Sequence, residues 1–311
     1  MKQSFQDGVQ FAWDATSLDL AQTCPRKYYY AMLRGIKPKG TSVHLLFGGI
    51  YAKALEKFYK YCARGDSIED AQRRVVHEAL IASWSHTLDS EGNPVVGSGG
   101  PMEFNDTKKT RVNLIRTIVW YIEQFAVESP DGLVTYHLQN GEPAVELSFA
   151  LEISNDIVYC GHLDRVVQMG EQLFVMDQKT TGGTVGTYYF STFSPNNQMS
   201  GYAFAGRAVL HSPIQGVIID AAQIAINFTR FERGITTRTK DQLDEWLDGT
   251  LSTIAHMQEL TRQERFPMNA TACGNYGGCQ YRELCSRSPA VRENFIKSDY
   301  QSHDWDPIKR R

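Results

Sequence analysis

Apolar residues recur at helical spacing through most of the first 130 positions. In 46–63, LFGGIYAKALEKFYKYCA, Leu46, Ile50, Leu55, Phe58 and Tyr59 fall near one helical face. The Gly48–Gly49 pair marks the start of that helix or a close backbone approach. Residues 17–34, SLDLAQTCPRKYYYAMLR, read as a short aromatic helix with Ser17 as its N-cap. A further helix is expected over 67–86, starting at Ser67 with Glu69 and Asp70 in its first turn. A longer one over about 106–128 carries Leu114, Ile118, Tyr121, Ile122 and Phe125. Between them, 88–101 is a loop by composition.

The period changes near residue 143. AVELSFALEI, DIVYCGHLDRVVQM and QLFVMDQKTT are strand-like runs separated by short turns, which predicts an antiparallel meander. Residues 196–211 return to a helical pattern, and GVIIDAAQIAINFTRF reads as a strand. TKDQLDEWLDGTLSTIAHMQELTRQ is an amphipathic helix capped by Thr239, and NATACGNYGGCQYRELCSRSP a cysteine-bearing loop and short helix. The expected class is α/β, with a helical N-terminal region around a sheet-bearing core.

Composition narrows the field only slightly. The 311 residues are 42% hydrophobic, enough for a sizeable core. A formal net charge of -3 excludes a uniformly basic protein but not a local basic groove. No run reaches the roughly 18 apolar residues of a membrane span, so no membrane partner is expected. The polar, acid-bearing start is not that of a secretory signal. Six unevenly placed cysteines do not make a secreted disulfide scaffold, so a reducing, cytoplasmic setting is expected.

The chemistry concentrates in GHLDRVVQMGEQLFVMDQKTT. Side chains alternate along a strand, so Asp177 and Lys179 share a face, and the turn at Gly170–Gln172 brings Asp164 back beside them. Two carboxylates and an ammonium at one place suit phosphodiester hydrolysis: the acids hold Mg²⁺ or Mn²⁺, and the lysine meets developing charge. A lone D-x-K triplet is more often a pair of solvated strand charges. Here both acids interrupt apolar runs, which favours function.

Cys273, Cys279 and Cys285 form a C-x5-C-x5-C run, with Cys24 far upstream. Structural zinc sites usually use tighter knuckles. Wide, irregular spacing suits an iron–sulfur cube better, with zinc as the alternative occupant. Cys62 and Cys160 stand alone and read as core thiols.

GHLDRVV…LFVMDQKTT resembles the G-x-x-D…D/E-x-K core of RecB-like PD-(D/E)XK nucleases. The resemblance implies a central mixed β-sheet flanked by helices, an N-terminal helical region and a C-terminal cysteine-bearing lobe. It implies one nuclease domain over 1–311: a mainly helical part at 1–142, the core at 143–265, and the cysteine lobe and tail at 266–311. Asp164 and Asp177 become metal ligands, the Gln178 carbonyl completes the shell, and Lys179 is the catalytic lysine. Gln198 and Tyr202 match the Q-x-x-x-Y helix motif, or are an ordinary half-buried helix face. Glu146 matches an acid on the first core strand, either a third ligand or an exposed strand residue. The chain departs from the family at Ala52, where the G-x-x-x-H pattern begun at Gly48 calls for histidine; His44 and His162 are out of register.

CPRKYYY and the three later cysteines are similar in layout to the AddB and CRISPR-adaptation nucleases, which implies a [4Fe–4S] cluster on Cys24, Cys273, Cys279 and Cys285. The implied activity is Mg²⁺- or Mn²⁺-dependent DNA hydrolysis, from ends and on single strands, with a recombination, phage or CRISPR-adaptation partner. A subunit that keeps the fold but does not cleave is the alternative. Arg26, Lys27, Tyr28 and Tyr29 either bind a strand or pack the helix beside the cluster. No Walker-type phosphate loop occurs, so no helicase motor is expected on this polypeptide.

Overall fold

The structure is a computed structural model, and it describes all residues except 1–3, 7, 41, 88, 92–94, 96, 128–130 and 309–311. Its helices are α1 (Ala15–Thr23), α2 (Val43–Ala63), α3 (Ile68–Ala82), α4 (Arg111–Ile122), α5 (Asn197–Leu210) and α6 (Lys240–Arg262), besides shorter turns. The long strands are β1 (Val145–Ser154), β2 (Ile157–Met169), β3 (Gln172–Thr181), β4 (Ile214–Ile224) and β5 (Thr229–Thr236). The fold is mixed α/β, with a central mixed sheet flanked by helices.

The chain divides into two compact units, residues 1–40, 148–162 and 238–311 in the first and 41–147 and 163–237 in the second. In the second unit the sheet order is β5-β4-β3-β2. β2 and β3 are an antiparallel hairpin, β3 and β4 run parallel, and β4 and β5 are antiparallel. The parallel pair requires a crossover, which α5 supplies. A Cβ at Gly206 would stand 2.9 Å from Val175 Cγ2, so the missing side chain lets α5 lie directly on β3. Gly48 does the same for α2, where a Cβ would meet Thr180 Oγ1 at 3.4 Å. Val175 and Thr180 point to opposite faces by alternation, so α5 and α2 cover the two sides of β3. The core beneath α2, α3 and α4 includes Phe47, Leu55, Phe58, Leu114 and Ile118, all essentially inaccessible. A smaller cluster joins Val167, Phe174, Met176 and Ile218.

In the first unit, α1 opens with a reciprocal capping box in which Asp14 caps Ser17 N–H and Ser17 Oγ accepts from Asp14 N–H. The N-cap is therefore Asp14, and Ser17 occupies N3, a correction to the sequence reading. The helix expected over 17–34 is interrupted at Cys24, whose backbone is extended; Pro25–Tyr28 is a separate helical turn and Tyr29–Leu33 a π-turn, and together they bury Tyr28 and Tyr30. Tyr281 donates to the Ile36 carbonyl at 2.6 Å, and strand Tyr300–Ser302 pairs with Ile36–Pro38.

Ser67 and Thr239 cap α3 and α6 as expected. The helix expected over 106–128 is shorter: Asp106 caps a turn through the Lys108 and Lys109 amides, α4 starts after Thr110, and Glu123–Val127 is a π-turn. The helix expected over 67–86 ends at Ala82, where Ser83 bonds back to the Ala79 carbonyl. GVIIDAAQIAINFTRF is two strands, turned at Ala225–Phe228. The 88–101 loop lies partly outside the described residues.

Candidate active site

The β2–β3 ladder ends at the Arg165–Met176 pair. Asp164 and Asp177 occupy the next positions, where the two strands part, while β3 stays paired to β4 as far as Thr181. Where a ladder bond would have been, the Gln178 N–H donates to Asp164 Oδ2 at 3.1 Å. An acid on one strand thus replaces the backbone partner of the other, which holds both carboxylates at the fork.

Asp177 is 1% exposed. Lys179 Nζ lies 2.6 Å from Asp177 Oδ2, off the hydrogen-bonding direction, so the contact is an ion pair and that oxygen accepts no aligned hydrogen bond among the described residues. Lys179 also donates to Gln198 Oε1 at 3.1 Å, and Gln198 Nε2 donates to the Tyr202 hydroxyl at 3.0 Å. Gln198 and Tyr202 are one helical turn apart on α5, whose start is fixed by the Asn196 cap. The i,i+4 spacing builds a relay from tyrosine through amide to ammonium.

The charge balance at the fork is uncomfortable. Burial, then the charges of Asp177 and Glu146, push the Asp164 carboxyl up to about 7, against the pull of Lys179 and the Gln178 amide. Asp177 is also raised, by burial first and by Asp220, despite Lys179. Burial draws Lys179 down, but Asp177 and Asp164 outweigh it and the ammonium is held above its ordinary value. Glu146 reaches this site from β1 with a φ of +52°, a left-handed conformation that non-glycine residues adopt at some cost. Acids outnumber cations at the fork, and a divalent cation is what such a donor set lacks. Mg²⁺ is commonly held by one or two carboxylates with waters completing the shell, so the chemistry of the set fits. Among the described residues no group of three or more His, Cys, Asp or Glu side chains is arranged to hold a metal ion.

Two neighbours escape sequence reasoning. Tyr189, on the short helix Thr187–Ser191, is pushed up to about 12 by burial and by the charge of Asp177. Lys109 is 4% exposed, is drawn down by burial, and stands 3.4 Å from the Thr180 carbonyl and hydroxyl. The TYYF and KK runs beyond and before the core were the available signals. Ala52 is half-buried on α2, one turn beyond Gly48.

The four cysteines all belong to the first unit, and no cysteine of the chain forms a disulfide. Asn269 links two of them: its N–H meets Cys24 Sγ at 3.3 Å, and Cys273 Sγ lies 3.9 Å from its carbonyl. Cys279 N–H donates to the Cys273 carbonyl. Burial pushes the Cys285 thiol up; Arg26 and Arg292 oppose this, while Cys279 and Cys24 add to it. Cys160 is buried in β2 and Cys62 half-buried in α2.

A family model for the PD-(D/E)XK nuclease superfamily matches residues 12–286. No curated protein matches the chain. Among solved structures, one described as a "Putative exonuclease" from Eubacterium rectale is 11% identical, with a TM-score of 0.49 over 85% of this chain and 86% of that one. A second, of the protein SSO0001, is 14% identical, with a TM-score of 0.29 over 57% of this chain and 74% of that one. No described helix is long and apolar enough to cross a membrane.

Proposed function

The chain belongs to the PD-(D/E)XK nuclease superfamily, and on that premise we propose that it is a Mg²⁺- or Mn²⁺-dependent deoxyribonuclease of the RecB-like branch. The observation that carries the reading is the fork, where Asp164, Asp177 and Lys179 meet and Gln198 and Tyr202 support the lysine. Preference for ends and single strands rests on the RecB-like pattern of the same residues, as does a recombination, phage or CRISPR-adaptation partner. A cytoplasmic setting goes with the free thiols.

Asp164 and Asp177 would hold the divalent ion, with the Gln178 carbonyl and Glu146 completing the protein's share of the shell. A bound cation supplies Lewis acidity and a water of lowered pKa. Asp177 and Asp164 keep Lys179 charged, so its ammonium is ready to donate to an oxygen on which charge develops. Gln198, itself held by Tyr202, fixes the direction of that ammonium. Positioning of this kind matters because misplacing one group by about 1 Å costs on the order of 10²-fold in rate.

In the first unit we propose a [4Fe–4S] cluster on Cys24, Cys273, Cys279 and Cys285, with zinc as the alternative occupant. The support is the shared unit, the Asn269 link and the charges that Cys285 senses from Cys24 and Cys279. In this reading the 1–311 chain works as one nuclease.

A non-cleaving DNA-binding subunit is the second reading, and Ala52 in place of the expected histidine favours it. One assay separates them. End-labelled single-stranded DNA should be degraded with Mn²⁺ and not with EDTA. Asp177→Ala should lower the rate at least about 10³-fold while DNA binding and the fold hold, because the carboxylate serves chemistry. Cleavage by the variant at the parental rate would remove the site assignment; no cleavage by the parent with either ion would leave the binding subunit.

A further inference from the structure

The first unit contains a cavity of about 710 Å³, well within the size of small-molecule sites. It is lined by residues from 5–34, 261–266 and 289–296. Two chemistries meet there. Tyr29 stacks on Phe266 with ring centroids 4.6 Å apart and planes inclined by 22°, and Leu33 and Ile296 extend the apolar wall. Arg26 and Arg292 supply positive charge that no carboxylate of the described residues neutralises at ion-pair distance. Arg26 Nε donates to the Phe266 carbonyl at 2.6 Å, and Arg292 donates to the Arg287 and Cys285 carbonyls at 3.1 Å each. A third guanidinium, Arg34, is paired with Glu293 at 2.8 Å and so is spoken for.

We propose that this cavity binds one nucleotide of DNA, its phosphate at Arg26 and Arg292 and its base against Tyr29, which Phe266 backs from the other side. Guanidiniums tied only through backbone carbonyls keep free N–H groups in a fixed orientation, as phosphate recognition requires. Tyr29, the partly accessible member of the stacked pair, offers ring surface beside fixed cations on which any base can stack, because every base has a π-face. An acidic peptide would use the cations and leave the accessible surface of the Tyr29 ring without a partner. The nucleotide has two sources, the end of a strand or a free mononucleotide released by cleavage. The strand as source rests on the deoxyribonuclease reading; the cavity's chemistry does not.

The test is binding in EDTA, where hydrolysis is suspended. Fluorescence anisotropy would follow a labelled dT10 with a 5′-phosphate, and calorimetry would follow dTMP alone. Arg292→Gln should weaken the oligonucleotide about tenfold and reduce the salt slope by about 0.7, the value for one phosphate on a single strand. Tyr29→Leu, which keeps an apolar side chain, should weaken it about tenfold by loss of stacking. An oligonucleotide whose terminal unit is abasic should bind parent and Tyr29→Leu alike. If dTMP binds and the same variants weaken it, the mononucleotide is an occupant; if dTMP does not bind but the oligonucleotide responds, the strand is the occupant.

Arg26 and Arg292 are also near enough to act electrostatically on the Cys285 thiol, and Arg292 donates to the Cys285 carbonyl. The variant at Tyr29 therefore decides the matter. Parental oligonucleotide and dTMP affinities for Tyr29→Leu would overturn the proposal, whatever Arg292→Gln does to metal content. A parent that cleaves with Mn²⁺ but whose binding does not depend on the cavity residues fails the cavity alone. Cavity-dependent binding by a parent that never cleaves fails the hydrolytic reading alone.

Discussion

Asp177 and Lys179 stand on a strand still paired to β4, over a side of the sheet packed by α5. Cys273, Cys279 and Cys285 stand instead on a 3-10 turn at Ala270–Gly277, the link that follows it, and the five-residue helix Arg282–Ser286. The carboxylate site draws rigidity from ladder bonds and from core residues such as Leu163, Val166 and Val175, all inaccessible. The cysteine segment has half-buried thiols and is held mainly by backbone turns and by Tyr281, Leu284 and Tyr300. The first region is therefore shaped before any ion arrives, and an empty fork suffers repulsion rather than disorder. The second has little apolar burial to order it, so a metal there would contribute folding free energy directly.

The largest effect that would break this contrast lies in the cysteines. Anaerobically purified protein is expected to carry about four irons per chain, and Cys24→Ala and Cys285→Ala should both lose them. Either variant should open 266–300 to protease, a local loss of at least ~3 kcal/mol by metal–folding linkage. Stoichiometric zinc in a colourless parent would replace iron; a metal-free parent as resistant as before would remove the site.

The next concerns the fork in EDTA. A carboxyl whose folded-state pKa is raised contributes stability that is fully present below its unfolded value, near pH 4, and is lost as pH rises through the folded value. For Asp164 that window runs from about 4 to about 7. Asp164→Asn should therefore gain on the parent as pH rises, reaching about 2 kcal/mol at pH 8, roughly half the full linkage because the group is half-buried and shares its proton affinity with Asp177. Saturating Mg²⁺ should shrink the gap by stabilising only the parent. A gap independent of pH would mean that neither burial nor the neighbouring acids raise the Asp164 carboxyl in the folded protein.

A smaller effect sharpens the account of Lys179. Gln198→Ala should lower kcat about tenfold with little change in KM, and Tyr202→Phe about threefold, because both act through the ammonium's orientation. Parental kcat for both variants would leave the relay without a catalytic role.

What the sequence disclosed follows the range of the interactions involved. Asp177 with Lys179, and Gln198 with Tyr202, are periodicity statements about a single element, and both spacings hold in the structure. Asp164 needed only one hairpin turn. Ser67 and Thr239 were legible because a cap acts on its own first turn. Asp14 is hard to tell from Ser17 by sequence, because in a reciprocal box both members look like caps. The turn at Ala225–Phe228 lacks glycine and proline, so the alternating pattern ran on without punctuation. Tyr189 and Lys109 reach β3 only through tertiary packing, and the left-handed backbone at Glu146 has no local signal in a strand-like run. The interleaving of two units was likewise not visible, since composition does not change at residue 163 or 238.

The spacing of these interactions along the chain also bears on the order of assembly. Lys179 and Gln198 are 19 positions apart, Asp164 and Gln178 only 14, whereas Cys24 and Asn269 are separated by 245. Closing a long loop is slow, because its entropy is lost before any contact rewards it. The second unit is complete once residue 237 has been made, while the cysteine segment has not yet been translated. During vectorial synthesis the fork is expected to form first and the N-terminal cysteine to wait for its late partners. Pulse-labelled hydrogen exchange during refolding should protect the amides of 163–181 before those of 270–299; simultaneous protection would mean that the chain closes as a single cooperative event.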